Sequence, residues 1–185
     1  MTQAKYEAAQ AHCDRQFAYT TLVTNANQFL VEGQAPNIAV VDTGAGTIIL
    51  SKKFASTLAK CQLEHLVPAE PFITAGGMEE PSHGRTKHLL KFVLLPGTKA
   101  ETTVLATALI SNSTTYDVLL GNEFMGQIFG YPDTMTSEFI WRVDAQDSRQ
   151  MPTLKASIPI HVRGGPRPHR HVYMVTNATD LMDAL

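Results

Sequence analysis

The chain alternates between short apolar runs and groups of turn-forming residues. The apolar runs are too short for helices and are rich in β-branched side chains, so they predict strands joined by tight connections. The predicted strands cover residues 19–24, 28–31, 38–41, 47–50, 72–75, 87–95, 102–110, 116–120 and 137–143. The pattern therefore predicts an all-β fold with a few short helices.

Three segments have a helical pattern instead. Residues 2–17 carry alanines at helical spacing among polar side chains. Ser51 can cap a helix in which Phe54 and Leu58 lie on one face. A further helix begins after Gly121, and its predicted apolar stripe consists of Phe124, Met125, Ile128 and Phe129. These helices would pack against the strands, and Trp141 is predicted to lie in the core or an interface.

Composition narrows the class of protein only slightly. At 185 residues the chain is long enough for one domain, and 44% hydrophobic and 17% charged residues are ordinary for a globular protein. A net charge of −2 gives no field that would recruit nucleic acid or an anionic membrane. Neither a signal peptide nor a membrane-spanning run is recognisable, so a cytoplasmic location is expected. Two cysteines allow no disulfide framework, and neither a metal nor a cofactor is predicted.

Asp42 is the residue with the strongest chemical signal. It directly follows the apolar run Ile38 to Val41, which predicts a buried strand that ends in a carboxylate. A carboxylate next to so much apolar surface needs hydrogen-bond donors or a second acid nearby. Thr43 offers a hydroxyl, and Gly44 can turn the backbone so that its N–H points at the carboxylate.

Two stretches together resemble the retropepsin-like aspartic proteases of retroviruses and LTR retrotransposons. The first is Asp42 to Ala45 behind its apolar strand, and the second is Tyr116 to Phe124, an apolar strand that ends in Gly121 and opens a helix. The sequence after Gly121 is more similar to retrotransposon proteases than to vertebrate retroviral ones. The resemblance covers about residues 26–144, and it implies a closed, single-lobed acid-protease β-barrel that is active as a homodimer.

The resemblance implies peptide hydrolysis by two carboxylates, of which one activates water and the other donates a proton. This chain has one Asp-Thr-Gly, and Asp133-Thr134 lacks both the glycine and the preceding apolar strand. The second carboxylate must therefore come from Asp42 of another copy across a two-fold axis. By resemblance, Asp42, Thr43 and Gly44 are the catalytic residues.

The family also implies where a peptide would bind. Substrate would lie extended between a glycine-rich flap and the catalytic floor, bound as an added strand. The flap corresponds to a hairpin in which residues 72–75 go out and residues 87–95 return, although a surface hairpin without a lid role remains an alternative. The predicted substrate-binding residues are Ala45, Gly46, Ala75, Gly76, Gly77, Val118 and Leu120. Gly46 departs from the family, because many members carry an acidic or hydroxyl residue there.

The segments outside the resemblance are assigned as extensions. Residues 1–25 form an N-terminal helical or strand extension, and residues 26–144 form the protease domain. Residues 145–185 form a C-terminal extension or linker that contains proline, histidine and arginine, and its prolines should interrupt any long element. Both boundaries follow from the extent of the resemblance.

The expected function is an aspartic endopeptidase that processes a retroelement polyprotein. Its expected partners are a second copy of the chain and an extended peptide, with neither nucleic acid nor membrane. The alternative is a catalytically silent retropepsin-like module that dimerises or binds peptides. An RNA-binding fragment would need a zinc knuckle or a dense basic run, and the sequence has neither.

Overall fold

A computed structural model of the chain describes residues 20–22, 28–73, 79–113, 115–144 and 154–162. The described part is mostly β-structure with short helices. The helix predicted at 2–17, the turn at 25–27 and the glycines at 76–77 lie outside it. No helix in the described ranges is long and apolar enough to cross a membrane.

The strands are short, as the brief apolar runs require. Within the described residues they are β1 Thr20–Leu22, β2 Phe29–Val31, β3 Ala39–Val41, β4 Ile49–Ser51, β5 Leu66–Val67, β6 Phe72–Ile73, β7 Glu79–Glu80, β8 Gly84–Thr86, β9 Leu90–Leu94, β10 Thr102–Ala106, β11 Leu109–Ser111, β12 Val118–Leu120, β13 Tyr131–Asp133, β14 Glu138–Arg142 and β15 Lys155–Val162. The helices are α1 Lys52–Ala55 and α2 Asn122–Gln127, and single 3₁₀ turns occupy Ala59–Cys61 and Leu63–His65. As predicted, Ser51 caps α1, because its hydroxyl accepts a hydrogen bond from the N–H of Phe54 at 3.1 Å.

These strands form three sheets. The largest has the order β13-β14-β15-β1-β3-β12-β4-β11-β8-β5, while β10-β9-β2 and β6-β7 form two smaller sheets. The large sheet has β13 at one edge and β5 at the other, so the strands described do not close into the predicted barrel. Its centre is the pair β3 and β12, which run parallel to each other, with β4 antiparallel to β12 on the other side.

The central strands bury both of their faces. One face contributes to the main core, which includes Ala39, Val41, Ile48, Leu50, Val118 and Leu120. The opposite face carries a second cluster made of Ile49, Leu109 and Leu119, with Ala45, Ala69, Phe72 and Tyr116 packed around it. Because side chains alternate along a strand, neighbouring residues of β4, β11 and β12 belong to different clusters. We refer to this second cluster as the apolar floor.

The main core also contains a buried hydrogen bond between two side chains. Trp141 is fully buried, as predicted, and its indole N–H donates to the hydroxyl of Thr102 at 2.9 Å. Cys61 lies at the edge of the core. Burial is the main cause that raises the pKa of its thiol to about 11; the charge of Glu32 adds to this shift and the charge of Lys60 opposes it. This thiol is therefore protonated at neutral pH.

The predicted flap hairpin is wrong in its return strand. β6 pairs with β7, so Phe72 lies opposite Glu80, while β9 pairs with β10 and β2. The strand predicted at 102–110 also divides, because β10 belongs to the three-stranded sheet and β11 to the large one. In both cases local pattern identified apolar segments, but long-range pairing decided which strand each one joins.

The predicted apolar stripe of α2 is right for Phe124, Met125 and Ile128, which are buried, and wrong for Phe129, which is 59% exposed. The helix ends before Phe129 at Gln127, and Phe129 has a left-handed φ of 49°. The N–H of Gly130 then bonds to the carbonyl of Met125 at 2.8 Å, which is the pattern of a Schellman motif. Reversal of the chain therefore turns Phe129 away from the core.

The eight-residue strand β15 lies within the predicted C-terminal extension and is part of the large sheet. It pairs with β14 over residues 155–159 and with β1 over residues 160–162. Pro159 does not interrupt it. The N–H of Ile160 donates to the carbonyl of Ser137, on the side of β14. Because N–H groups alternate between the two sides of a strand, the position where Pro159 lacks an N–H is on the side of β1. Residue 159 lies beyond the residues that pair with β1, so no hydrogen bond of that pairing is lost. The predicted domain boundaries remain a prediction, with β1 and β15 sharing the sheet of the central segment.

Candidate active site

Asp42 lies at the end of β3, half-buried, where the central strand leaves the sheet. Its backbone N–H bonds to the carbonyl of Leu120 in β12 at 3.0 Å. This bond continues the parallel pairing of β3 with β12 by one residue, so the position of Asp42 is set by the centre of the sheet.

The turn after Asp42 delivers the predicted donor to the carboxylate. The N–H of Gly44 donates to Oδ1 of Asp42 at 2.8 Å, and the N–H of Ala45 donates to the Asp42 carbonyl at 3.2 Å. A Cβ atom at Gly44 would lie 3.2 Å from the same Oδ1, so a side chain there would crowd the carboxylate. The hydrogen bond that the sequence predicted between Gly44 and Asp42 is thus confirmed. Thr43 is exposed.

The start of α2 supports this turn from one side. The backbone N–H groups of Asn122 and Glu123 donate to the carbonyls of Ala45 and Gly46 at 2.8 and 3.0 Å. Gly121 lies so close that a Cβ atom would be 2.3 Å from the carbonyl oxygen of Thr47. Only glycine permits this approach between the two backbones.

Side chains add a second layer of contacts. The Nδ2 of Asn122 donates to the carbonyl of Thr43 at 2.9 Å. The hydroxyl of Thr47 donates to Oε2 of Glu123 at 2.6 Å and accepts from Nη2 of Arg85 at 3.3 Å. Arg85 also donates to the hydroxyl of Thr107 at 2.9 Å. We refer to residues 42–47 as the Asp42 loop. The groups of Asn122, Glu123 and Arg85 that bond to it are called its brace.

The apolar floor adjoins this loop through Ala45. Tyr116 lies at its rim, and burial raises the pKa of the Tyr116 hydroxyl above its usual value. Hydrogen bonds to Ser111 and Ser113 oppose that shift, while the charges of Glu80 and Asp42 add to it. The site therefore combines a half-buried carboxylate with an adjoining cluster of buried apolar side chains.

The structure brings some of the predicted site residues together and separates others. Ala45 and Gly46 follow Asp42 on the loop, and a Cβ atom at Gly46 would meet nothing within 4 Å. Val118 and Leu120 are fully buried in the main core, which places their side chains on the face away from the apolar floor. The predicted flap residues Ala75, Gly76 and Gly77 lie outside the described part of the chain.

Sequence reasoning missed Leu119, Asn122 and Glu123. Leu119 could have been found, because alternation places it on the face opposite its two neighbours in β12. Asn122 and Glu123 gave no such signal. Their contacts run to residues 79 and 76 positions earlier in the chain, so only the folded sheet brings them to the loop. In the described ranges, no group of three His, Cys, Asp or Glu side chains is placed to hold a metal ion.

Comparison with known proteins finds likeness in structure only. No family model and no curated protein matches the sequence. The retroviral protease-like domain of Ddi1 from Leishmania major matches with a TM-score of 0.46 at 14% identity, covering 80% of this chain and 96% of that one. A retropepsin-like aspartic protease from Rickettsia conorii matches with a TM-score of 0.42 at 20% identity, over 62% of this chain and 84% of that one.

A further match is the EIAV protease in complex with an inhibitor, with a TM-score of 0.39 at 15% identity, over 54% of this chain and 82% of that one. All three of these structures are of retroviral or retropepsin-like proteases, and all three TM-scores lie below 0.5. The chemistry of the site is therefore argued from the residues of this chain.

Proposed function

We propose that the chain is an aspartic endopeptidase whose site forms when two copies bring their Asp42 carboxylates together. The observation that carries the proposal is the bond from the Gly44 N–H to Oδ1 of Asp42, at the end of a buried central strand. This bond holds one oxygen of the carboxylate at the end of β3. The chain has a single Asp-Thr-Gly, so a second copy supplies the other acid.

The chemistry follows from placing two carboxylates side by side. Two acids about 3 Å apart cannot both be ionised, so the pair retains one proton. The ionised carboxylate takes a proton from water as it attacks the peptide carbonyl, and the protonated one donates to the carbonyl oxygen. The carboxyl that took the proton from water then protonates the amide nitrogen, while the other carboxylate takes a proton from a hydroxyl of the tetrahedral intermediate. The C–N bond breaks, the amine leaves, and the pair again holds one proton.

The proposed substrate is an extended peptide with apolar side chains next to the cut bond. The apolar floor supports this proposal, since Ile49, Leu109 and Leu119 adjoin the Asp42 loop through Ala45. This proposal assigns to Leu119 the substrate role predicted for Val118 and Leu120, because Leu119 lies on the face of the apolar floor and the other two lie on the face of the main core. A retroelement polyprotein is the proposed natural substrate, resting on the sequence resemblance.

The test is cleavage of a mixed peptide library between about pH 4 and 7, with wild type and Asp42→Asn compared at several protein concentrations. We expect cleavage that pepstatin inhibits, that Asp42→Asn abolishes and that rises faster than linearly with concentration. Asp133→Asn is the matched control. It alters the other Asp-Thr pair, whose carboxylate accepts from the N–H groups of Met135 and Thr136 in a surface turn, and it should retain activity.

Absence of cleavage by a protein shown to be dimeric would contradict the enzyme and favour the silent dimerisation or peptide-binding module. In that case Asp42→Asn would bind peptides as wild type does. Open space at Gly46, where many family members have a side chain, is the feature consistent with weaker peptide binding.

A further inference from the structure

Hydrogen bonds hold the Asp42 loop more than side-chain packing does. The loop contains Gly44 and Gly46, and glycine allows the backbone more conformations than any other residue. A Cβ atom at Gly46 would meet nothing within 4 Å, so packing does not confine that part of the loop. The direction of the Asp42 carboxylate therefore depends on the hydrogen bond from Gly44 within the loop and on the groups outside the loop that hold the Gly44 peptide.

One peptide group is held at both of its ends. The carbonyl of Thr43 and the N–H of Gly44 belong to the same planar unit, so the direction of one sets the direction of the other. The N–H of Gly44 donates a hydrogen bond to Oδ1 of Asp42 at 2.8 Å, and the carbonyl of Thr43 accepts one from Nδ2 of Asn122 at 2.9 Å. Two hydrogen bonds on one peptide group also polarise each other, which strengthens both.

We propose that Asn122 is a positioning residue for Asp42, acting through the peptide group between Thr43 and Gly44. The role rests on the proposed function, because alignment of the carboxylate matters only if it performs chemistry. Asn122 is exposed, and an exposed hydrogen bond adds little to stability. Catalysis is far more demanding of geometry than stability is, since small misplacements of a reacting group cost large factors in rate.

The test variant is Asn122→Asp, which keeps the size of the side chain but replaces the donating NH₂ with an oxygen facing the Thr43 carbonyl. The matched control is Gln127→Glu on the same helix. Its amide also donates to a backbone carbonyl, that of Leu105 at 3.5 Å, which is away from the Asp42 loop. Three experiments are made on each protein: hydrogen exchange at the Gly44 amide, cleavage kinetics that give kcat and KM for a peptide, and unfolding in urea.

For Asn122→Asp we expect exchange at the Gly44 amide to rise about tenfold or more, because the peptide group is held at one end only. We also expect kcat to fall about 10- to 100-fold with KM within about twofold. Gln127→Glu should leave Gly44 exchange and kcat as in wild type. The urea midpoint of Asn122→Asp should stay close to that of wild type.

Unchanged exchange at Gly44 in Asn122→Asp would overturn the proposal. So would a general rise in exchange across the whole protein with a lowered urea midpoint, since that is the signature of a merely structural contact. If wild type cleaves no peptide, the proposed function fails, yet the exchange measurement still decides whether Asn122 holds the peptide group. The two failures are therefore distinguishable.

Discussion

Gly121 occupies a position where no side chain fits. A Cβ atom would lie 2.3 Å from the carbonyl oxygen of Thr47 and 2.6 Å from that of Ala45. We expect Gly121→Ala to lower the free energy of unfolding by about 1–3 kcal/mol, because the loop or α2 must shift to make room. The same shift moves the Asp42 loop, so peptide cleavage should fall as well. Urea unfolding and kcat measure the two effects.

Gly126 provides the control for this prediction. It lies within α2, and a Cβ atom there would meet nothing within 4 Å. Gly126→Ala should therefore raise the free energy of unfolding by about 0.5–1 kcal/mol, since alanine costs less backbone entropy in a helix. A loss of stability in both variants would show that alanine is disfavoured for a reason other than the contact at Thr47.

At the scale of elements, β15 decides whether the C-terminal segment is a linker. Ile158 and Ile160 are buried in the main core, and the strand pairs with both β14 and β1. We expect Ile158→Ala or Ile160→Ala to cost about 2–5 kcal/mol each, through lost burial and the cavity left behind. Urea unfolding gives the value.

Ser157 serves as the neighbouring control because it lies on the opposite face of the same strand. Its hydroxyl is half-buried and donates to Glu138 at 2.9 Å, so Ser157→Ala should cost no more than about 1.5 kcal/mol. If neither isoleucine variant changes the free energy of unfolding, residues 154–162 are better described as the linker predicted from the sequence.

Local pattern located most of the elements described, because burial on a strand or helix leaves its period in the sequence. β3 and β12 and the cap at Ser51 were predicted within a residue or two. The pattern could not supply the partner of β6 or the division between β10 and β11. Those depend on pairings between segments that are distant in the chain, and no single segment encodes them.

At the scale of the whole molecule, the proposed site needs Asp42 from two copies. When a fixed amount of wild type is mixed with Asp42→Asn, some wild-type copies pair with a copy that lacks the second Asp42. Activity should therefore fall as the share of wild-type copies in the mixture falls. Equal amounts should leave about half of the activity, and a ninefold excess about a tenth, if copies exchange at random. The measurement is the initial cleavage rate after the two proteins have been mixed and allowed to exchange.

Activity that does not change on mixing would show that one copy carries a complete site, or that copies do not exchange. Subunit exchange followed with differently labelled copies separates these two cases. Asp133→Asn, mixed in the same ratios, controls for the added protein.

The sequence by itself located the central strands and suggested the proposed chemistry, because Asp-Thr-Gly behind an apolar run restricts both backbone and environment. It also offered the Thr43 hydroxyl and the Gly44 N–H as donors, and in the structure the Gly44 N–H donates to Asp42. Only the tertiary structure decided the brace at Asn122 and Glu123 and the choice of Leu119 for the apolar floor. Those features arise where two segments almost 80 residues apart lie side by side, and such contacts leave no period in the sequence.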